Sequence, residues 1–130
     1  MAELIHKELS YEIVGILYTV YKGLGGGYQE KYYQRAIALE LEKRGLKFKR
    51  EVLVPLEFGG KSIGRYFVDF VIEDKIVLEI KVQSRFYPRD VKQILSYLKI
   101  TGVPLGILAN FARNGLLFKR VLRGKAVSDN

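Results

Sequence analysis

The chain has 130 residues and a formal net charge of +8, and a domain of about 100–200 residues leaves no room for a second one. Apolar residues make up 48% of the chain and charged residues 28%, which is typical of a folded protein and excludes a disordered one. The lack of cysteine excludes disulfides and thiolate metal sites. A single histidine, His6, argues against a zinc hydrolase built on imidazole ligands.

The first residues carry neither an export signal nor a membrane span. The start, MAELIHKELSYE, lacks the apolar core of a secretory peptide. No apolar run approaches the roughly 18 residues that a membrane span needs. Together with the absence of cysteine, these features predict a protein of a reducing compartment, the cytoplasm, with no membrane partner.

Charge gives the first positive indication of a partner. Lys and Arg total 22 against 14 Asp and Glu, and the isoelectric point is near 9.7. A domain with an isoelectric point above about 9 is typical of nucleic-acid binders. Basic surfaces also serve solubility, so charge alone favours a nucleic-acid partner only slightly.

Two helices are predicted before the first strand. Apolar residues recur at helical spacing over Leu9–Tyr21, and the glycine-rich run Gly23–Gly27 ends that helix. A second helix is predicted over Tyr28–Arg44, with Gly45 at its C′ position.

After Gly45 the apolar period changes to two, which predicts strands. The predicted elements are the strands Phe48–Phe58, Ile63–Ile72 and Ile76–Val82, a helix from Pro88, and the strands Val103–Ala109 and Leu116–Leu122. The order ααβββαββ predicts an α/β fold with a mixed central β-sheet flanked by helices. It is predicted as one domain over residues 1–130, with a core over residues 9–122 and a frayed polar tail over residues 124–130.

Three charged residues interrupt the apolar strands and are the strongest candidates for chemistry. Asp69 lies within RYFVDFVIE of the second strand, and Glu79 and Lys81 lie within VLEIKV of the third. Buried charge is costly unless it is paired or bound to a metal. If the turn spans residues 73–75, position 79 lies opposite position 69, and alternation places Lys81 on the face of Glu79. The two carboxylates are therefore predicted to stand side by side.

Two interpretations of this group remain open from the spacing alone. Adjacent carboxylates repel each other unless a cation lies between them, and a ligand set of oxygen atoms favours Mg²⁺ or Mn²⁺. Such an ion polarises a phosphoryl oxygen, while a nearby lysine orients water or offsets developing charge. The alternative is a buried Asp–Lys–Glu ion-pair cluster that fixes strand register and has no catalytic function.

The same residues carry a family resemblance. Asp69 followed by Glu79-Ile80-Lys81 on the next strand resembles the D…(D/E)xK signature of the PD-(D/E)XK nuclease superfamily, with Val68 where proline is usual. The segment GYQEKYY, residues 27–33, is similar to the signature of the GxxExxY family, which is assigned to that superfamily. The similarity covers residues 9–122.

Two departures from the family pattern lie near the glycine run. Gly26 replaces a frequent proline, which predicts a looser run, and Tyr21 replaces a frequent histidine. Neither departure touches the carboxylates.

The resemblance implies a restriction-endonuclease-like fold and metal-dependent hydrolysis of phosphodiester bonds in nucleic acid, with DNA favoured. It implies that Asp69, Glu79 and Glu30 hold Mg²⁺ or Mn²⁺ together with the backbone carbonyl of Ile80. Lys81 would assist the attacking water, and the products would be a 3′-hydroxyl and a 5′-phosphate. Glu30 matches a helical carboxylate that completes the metal site in relatives such as Holliday-junction resolvases.

The predicted third helix carries two further candidates. Gln93 and Tyr97 lie at i and i+4 and therefore share a helix face. They resemble the QxxxY element of helicase-associated nucleases, which implies a role in positioning substrate or the catalytic lysine.

The nucleic-acid contacts are predicted at the start of the same helix. Arg85, Arg89 and Lys92 are the basic candidates there, and Phe86 and Tyr87 between them either stack on bases or cap the core. The resemblance also implies a homodimer where two strands are cut. The alternative from another class is a non-catalytic nucleic-acid-binding or protein-interaction module that retains the fold.

Overall fold

A computed structural model of the chain describes the backbone of residues 5–123 and 125–128, and the side chains of residues 5–123. Within these residues three helices and six strands are formed. They are α1 (Lys7–Leu24), α2 (Glu30–Lys43), β1 (Phe48–Phe58), β2 (Lys61–Ile72), β3 (Ile76–Lys81), α3 (Pro88–Thr101), β4 (Leu105–Ala112), β5 (Gly115–Leu122) and β6 (Lys125–Ser128). The predicted α/β fold and the order ααβββαββ are confirmed, and a sixth strand follows β5.

The sixth strand replaces part of the predicted frayed tail. The backbone of β6 pairs with β5 in an antiparallel ladder from Lys119↔Ser128 to Leu122↔Lys125. A segment that adds to an existing sheet edge gains backbone hydrogen bonds without an apolar alternation of its own. Gly124 and residues 129–130 of the predicted tail lie outside the described residues.

The strands form one mixed sheet in the order β1-β2-β3-β4-β5-β6. Only the β3–β4 pair is parallel among the strands described, and every other neighbouring pair is antiparallel. Parallel neighbours require a crossover connection, and α3 supplies it. This topology sets the end of β3 beside the start of α3.

The helices cover the two faces of the sheet. Leu78 and Ile80 of β3 pack into a core with α1 and α2, whereas Val77 packs into a second core with Ile94 of α3. Because side chains alternate along a strand, Glu79 and Lys81 follow Val77 onto the α3 face. In the described part of the chain, no helix is long and apolar enough to cross a membrane.

Beside Asp69, the side chains of β2 change the face of the sheet on which they pack. Phe70 packs into the core of α1 and α2, yet Val68, two residues away, packs into the core of α3. In β1, Glu51 has a φ of 51° and falls between regular β1–β2 pairs. The alternation is therefore interrupted at the point from which the Asp69 side chain projects.

The glycine residues between α1 and α2 make one close backbone contact, at Gly26. A Cβ atom at Gly26 would clash with the backbone of Arg113 in the β4–β5 turn. Tyr21, near the end of α1, donates a hydrogen bond of 3.2 Å to the carbonyl of Ala112. The run is thus fixed against the end of β4, and this contact places the start of α2.

Candidate active site

Asp69 and Glu79 face each other at the end of the β2–β3 ladder. The regular pairs run from Ile72↔Ile76 to Phe70↔Leu78, and these two residues come next. The backbone N–H of Asp69 donates to Oε1 of Glu79 over 2.9 Å, and the N–H of Ile80 donates to Oδ2 of Asp69 over 2.7 Å. Each carboxylate therefore takes a place that a strand carbonyl would otherwise fill, and both side chains are held close together.

Lys81 lies beside this pair on the same strand face. Its Nζ atom is 3.8 Å from Oε2 of Glu79 and 3.9 Å from Oδ1 of Asp90, in the first turn of α3. The Lys81 side chain is 23% exposed, against 5% for Glu79 and 3% for Asp90. Lys81 is thus the most exposed side chain of the three in this ion-paired group.

The first turn of α2 brings a third predicted carboxylate to the group. Glu30 is the first residue of α2, and Gln34 lies one turn later on the same helix face. The amide of Gln34 donates to Oδ1 of Asp69 over 3.1 Å and to Oε2 of Glu30 over 3.5 Å. Gln34 therefore bridges the helical carboxylate and the strand carboxylate.

Tyr33 explains the spacing of the GYQEKYY segment. Its hydroxyl donates to the carbonyl of Gly25 over 2.6 Å and accepts from the N–H of Tyr28 over 3.3 Å. Its ring stacks on Phe111 at a centroid distance of 4.3 Å. Because Glu30 is three residues before Tyr33, the contact that fixes the loop also fixes the start of α2 and the place of Glu30.

Burial raises the pKa values of the three carboxylates predicted to bind metal, and repulsion from Asp69 adds to this at Glu79 and Glu30. For Glu79, desolvation and the neighbouring charge of Asp69 raise the pKa from 4.5 to about 8. Desolvation also raises the pKa of Asp69, against the hydrogen bond from Ile80, and that of Glu30, with repulsion from Asp69 added. Negative charge on these carboxylates is therefore unfavourable without a counter-ion. A divalent cation bound to them would reduce this cost.

The donor chemistry fits a hard divalent cation. Asp69 and Glu79 offer paired carboxylate oxygens, which Mg²⁺ and Mn²⁺ prefer. Over the described residues, no set of three or more Asp, Glu or His side chains converges on one point as a metal cage. A pair of carboxylates completed by backbone oxygen and water suits Mg²⁺, which usually keeps several waters.

An open cleft lies between the loop that precedes α2 and the loop that precedes α3. Its volume is about 380 Å³, and its lining includes Gly27, Gln83, Ser84 and Arg113. Among the described residues, neither Lys81 nor the predicted carboxylates line this cleft, but Gln83 connects it to Asp90 through a hydrogen bond of 2.6 Å.

The structure does not connect Gln93 and Tyr97 to the carboxylates. Tyr97 is buried in the core between α3 and the sheet, and this burial raises the pKa of its hydroxyl. The backbone carbonyl of Gln93 accepts a 2.6 Å hydrogen bond from the hydroxyl of Tyr66. Among the described residues, neither side chain hydrogen-bonds to Asp69, Glu79 or Lys81.

The predicted nucleic-acid contacts lie on the surface before and within the first turns of α3. Arg85, Arg89 and Lys92 are exposed, and the guanidinium carbons of the two arginines lie 5.1 and 4.6 Å from the ring centroid of Tyr87. Phe86 packs against the core of α3, as a cap would. The arginines are thus presented together on one aromatic side chain.

Four residues at the site were not singled out from the sequence: Gln34, Gln83, Asp90 and Asn110. Two of them, Asn110 and Asp90, carry a local signal in the sequence. Asn110 is a polar residue in the buried strand LGILANFA, and Asp90 stands two residues after Pro88, where helix-capping carboxylates occur. The side chain of Asn110 accepts a hydrogen bond of 3.0 Å from the N–H of Gln83 and donates one of 2.8 Å to the Gln83 carbonyl.

Comparison with known proteins agrees with this geometry. The family model of the PD-(D/E)XK nuclease superfamily matches residues 7–121, and the chain belongs to that superfamily. It is similar to a solved structure described as the crystal structure of SSO0001, with a TM-score of 0.54 and 21% sequence identity. The match covers 90% of this chain and 57% of that one, and likeness at this identity shows the fold alone. No curated protein matched the sequence.

Proposed function

We propose that the protein is a metal-dependent nuclease of the GxxExxY family that hydrolyses phosphodiester bonds in DNA. One observation supports it above the others. Asp69 and Glu79 bind each other's strand through their carboxylates, and Lys81 Nζ lies 3.8 Å from Glu79. An acidic pair beside an ammonium group can hold a divalent ion next to a cation that stabilises phosphoryl charge, which suits hydrolysis of a phosphodiester.

In this proposal the acidic group holds Mg²⁺ or Mn²⁺. Asp69 and Glu79 would supply carboxylate oxygens and Ile80 its backbone carbonyl. Glu30 is proposed to join them from α2, although the three carboxylates do not form a ready metal cage in the described residues. When bound, a divalent ion polarises a phosphoryl oxygen of the substrate. Gln34, which donates to both Glu30 and Asp69, keeps the helical carboxylate turned toward the strand carboxylate.

The remaining residues act on water and substrate. Lys81 orients the attacking water and stabilises negative charge on the phosphoryl group. Arg85, Arg89 and Lys92 contact phosphates of the bound strand. Gln93 and Tyr97 are proposed to act through the placement of α3, because neither side chain reaches the carboxylates.

The ion-pair alternative requires a charge balance that the site lacks. The site has four acidic residues, Glu30, Asp69, Glu79 and Asp90. In the described part of the chain, Lys81 is the one ammonium group at ion-pair distance from any of them. An ion-pair cluster would also lower the pKa values of its carboxylates, whereas the pKa of Glu79 is raised to about 8.

The decisive experiment is a cleavage assay on the whole chain. Labelled duplex, single-stranded and four-way-junction DNA are incubated with the protein in Mg²⁺, Mn²⁺ or EDTA. We expect cleavage in either metal, products with 5′-phosphate ends, no cleavage in EDTA, and none by Glu79→Gln in any condition. Metal-independent cleavage, or equal cleavage by Glu79→Gln, would refute the proposal. Binding without cleavage would favour a non-catalytic binding module.

The chain is further proposed to act as one nuclease domain that pairs with a second copy to cut two strands. The molar mass in solution, measured by light scattering with and without duplex DNA, tests this pairing. A mass of one chain in both conditions would exclude the homodimer.

A further inference from the structure

Asp90 is a buried carboxylate whose two oxygens have different partners. Oδ2 accepts a 2.6 Å hydrogen bond from the amide of Gln83 and a 3.1 Å hydrogen bond from the N–H of Tyr87. Oδ1 faces Nζ of Lys81 at 3.9 Å. Two donors on one oxygen fix the plane of the carboxylate, so the other oxygen is held toward the ammonium group.

Helix capping explains only half of this arrangement. A capping carboxylate in the first turn needs one oxygen for the N-cap N–H, and such caps are commonly exposed. Asp90 is 2% exposed, and a buried carboxylate carries a desolvation cost that a cap alone does not require. The cost is offset where the second oxygen meets a cation.

The support of Asp90 extends into the sheet. Asn110 is fully buried and binds both the N–H and the carbonyl of Gln83. Asn110 is also the register partner of Lys81 across the β3–β4 pair. Lys81 and Asn110, which holds the backbone of the residue that binds Asp90, therefore lie opposite each other on two adjacent strands.

We propose that Asp90, held by Gln83 and Asn110, is a positioning residue that fixes the Lys81 ammonium group beside Glu79 for catalysis. A lysine side chain has four rotatable bonds and keeps much rotamer freedom at a surface. Two carboxylates, Glu79 at 3.8 Å and Asp90 at 3.9 Å from Nζ, limit that freedom, and the Lys81 side chain keeps 23% of its surface exposed. The inference rests on the proposed nuclease function and adds a residue to it.

The test compares four proteins: the wild type, Asp90→Asn, Lys81→Ala and the double variant. Asp90→Asn keeps the shape and the acceptor oxygen for Tyr87 but removes the charge that faces Lys81. We expect its kcat to fall about 10- to 10²-fold with KM unchanged, because a misplaced catalytic group costs rate rather than binding. In the Lys81→Ala background the same change should alter kcat by less than about twofold.

A matched control uses the same substitution at an exposed pair. Asp74 lies 3.4 Å from Lys49, with both side chains at least 70% exposed, so Asp74→Asn removes a carboxylate from an Asp–Lys pair outside the site. Its kcat should equal that of the wild type. An equal loss of kcat from Asp90→Asn with and without Lys81 would overturn the inference, as would an unchanged kcat.

A second measurement separates this inference from the nuclease proposal. The rate at which an amine-acylating reagent labels Lys81 is measured by mass spectrometry in EDTA, with exposed Lys92 as the internal reference. We expect a several-fold higher relative labelling of Lys81 in Asp90→Asn and no change in Asp74→Asn. If no protein cleaves DNA but this increase is seen, the nuclease proposal fails and the restraint by Asp90 stands. Unchanged labelling would refute the restraint.

Discussion

At the scale of single residues, the protonation of Glu79 distinguishes a metal site from an ion-pair cluster. Burial and the charge of Asp69 raise the pKa of Glu79 to about 8, and the attraction of Lys81 is too small to reverse this. A carboxylate in a satisfied ion pair has a lowered pKa. Without metal, the folded protein therefore stabilises a proton on the acidic pair rather than a second negative charge.

The stability of the metal-free protein should depend on pH in a defined direction. The pKa of Glu79 is raised from 4.5 to about 8, so the stability contributed by this proton is complete below about pH 4.5 and is lost as the pH rises through about 8. The melting temperature in EDTA should therefore fall between about pH 5 and about pH 8. Glu79→Gln should flatten this slope and melt above the wild type at about pH 9. A Glu79→Gln protein that melts earlier at every pH would favour the ion-pair cluster instead.

Lys81→Ala should separate metal binding from hydrolysis. Removal of the ammonium group leaves both carboxylates and takes away a competing positive charge, so Mg²⁺ affinity measured by calorimetry should be unchanged or higher. Cleavage should fall by around 10²-fold or more, the loss expected for a positioned proton-transfer or charge-stabilising group. DNA binding in EDTA should persist, because phosphate contacts elsewhere provide most of it. Equal cleavage by Lys81→Ala and the wild type would contradict the role of the lysine.

Asp69, Glu79 and Lys81 could be predicted at the site because their positions depend on local rules, whereas Glu30 was predicted from the family resemblance. The turn after Ile72 fixes which residue of β3 lies opposite Asp69, and alternation then sets the face of Glu79 and Lys81. Gln34 and Asp90 depend on how α2 and α3 are rotated against the sheet. That rotation comes from long-range packing, which no local pattern contains.

At the scale of elements, apolar alternation located the strands that carry a buried face. It predicted β1 with the bounds Phe48–Phe58 that the structure has, because the inward residues of this strand meet the core around α3. The β6 strand was not predicted, since it joins the sheet through its backbone pairing with β5. The apolar pattern did not predict the interrupted alternation at Asp69. Val68 and Phe70, on either side of it, pack against different helices, and that packing depends on the whole fold.

The glycine-rich segment 23–27, which ends α1 and leads to α2, should tolerate substitution at one glycine and not at another. Gly26→Ala would drive a Cβ atom into the backbone of Arg113, which should lower the free energy of unfolding by about 1–3 kcal/mol. At Gly23, inside α1, a Cβ atom meets nothing within 4 Å, so Gly23→Ala should stabilise by about 0.5–1 kcal/mol. Urea unfolding of both variants checks the pair. Equal stability of the two would show that the contact with Arg113 is not tight.

At the scale of the whole molecule, an acidic cluster is embedded in a basic protein. The chain carries +8 in total, although four carboxylates gather around Lys81. A negative site alone would repel a phosphate backbone. We propose that the basic side chains outside it, including Arg85 and Arg89 beside the start of α3, attract a polyanion to the site. In this proposal, binding and chemistry are carried by different parts of the surface.

This division predicts a strong salt dependence of binding that is independent of metal. If the basic surface neutralises about five phosphates, log affinity for duplex DNA should fall against log salt with a slope of about −4 to −5. Fluorescence anisotropy in EDTA measures this slope without cleavage.

Replacing Arg85 and Arg89 by alanine removes two cations and should make the slope less negative by about 2. Glu79→Gln, measured in the same way, should keep the slope of the wild type, because that carboxylate contacts no phosphate. A slope near zero for the wild type would remove nucleic acid as the partner, and an unchanged slope in the double arginine variant would move the phosphate contacts away from α3.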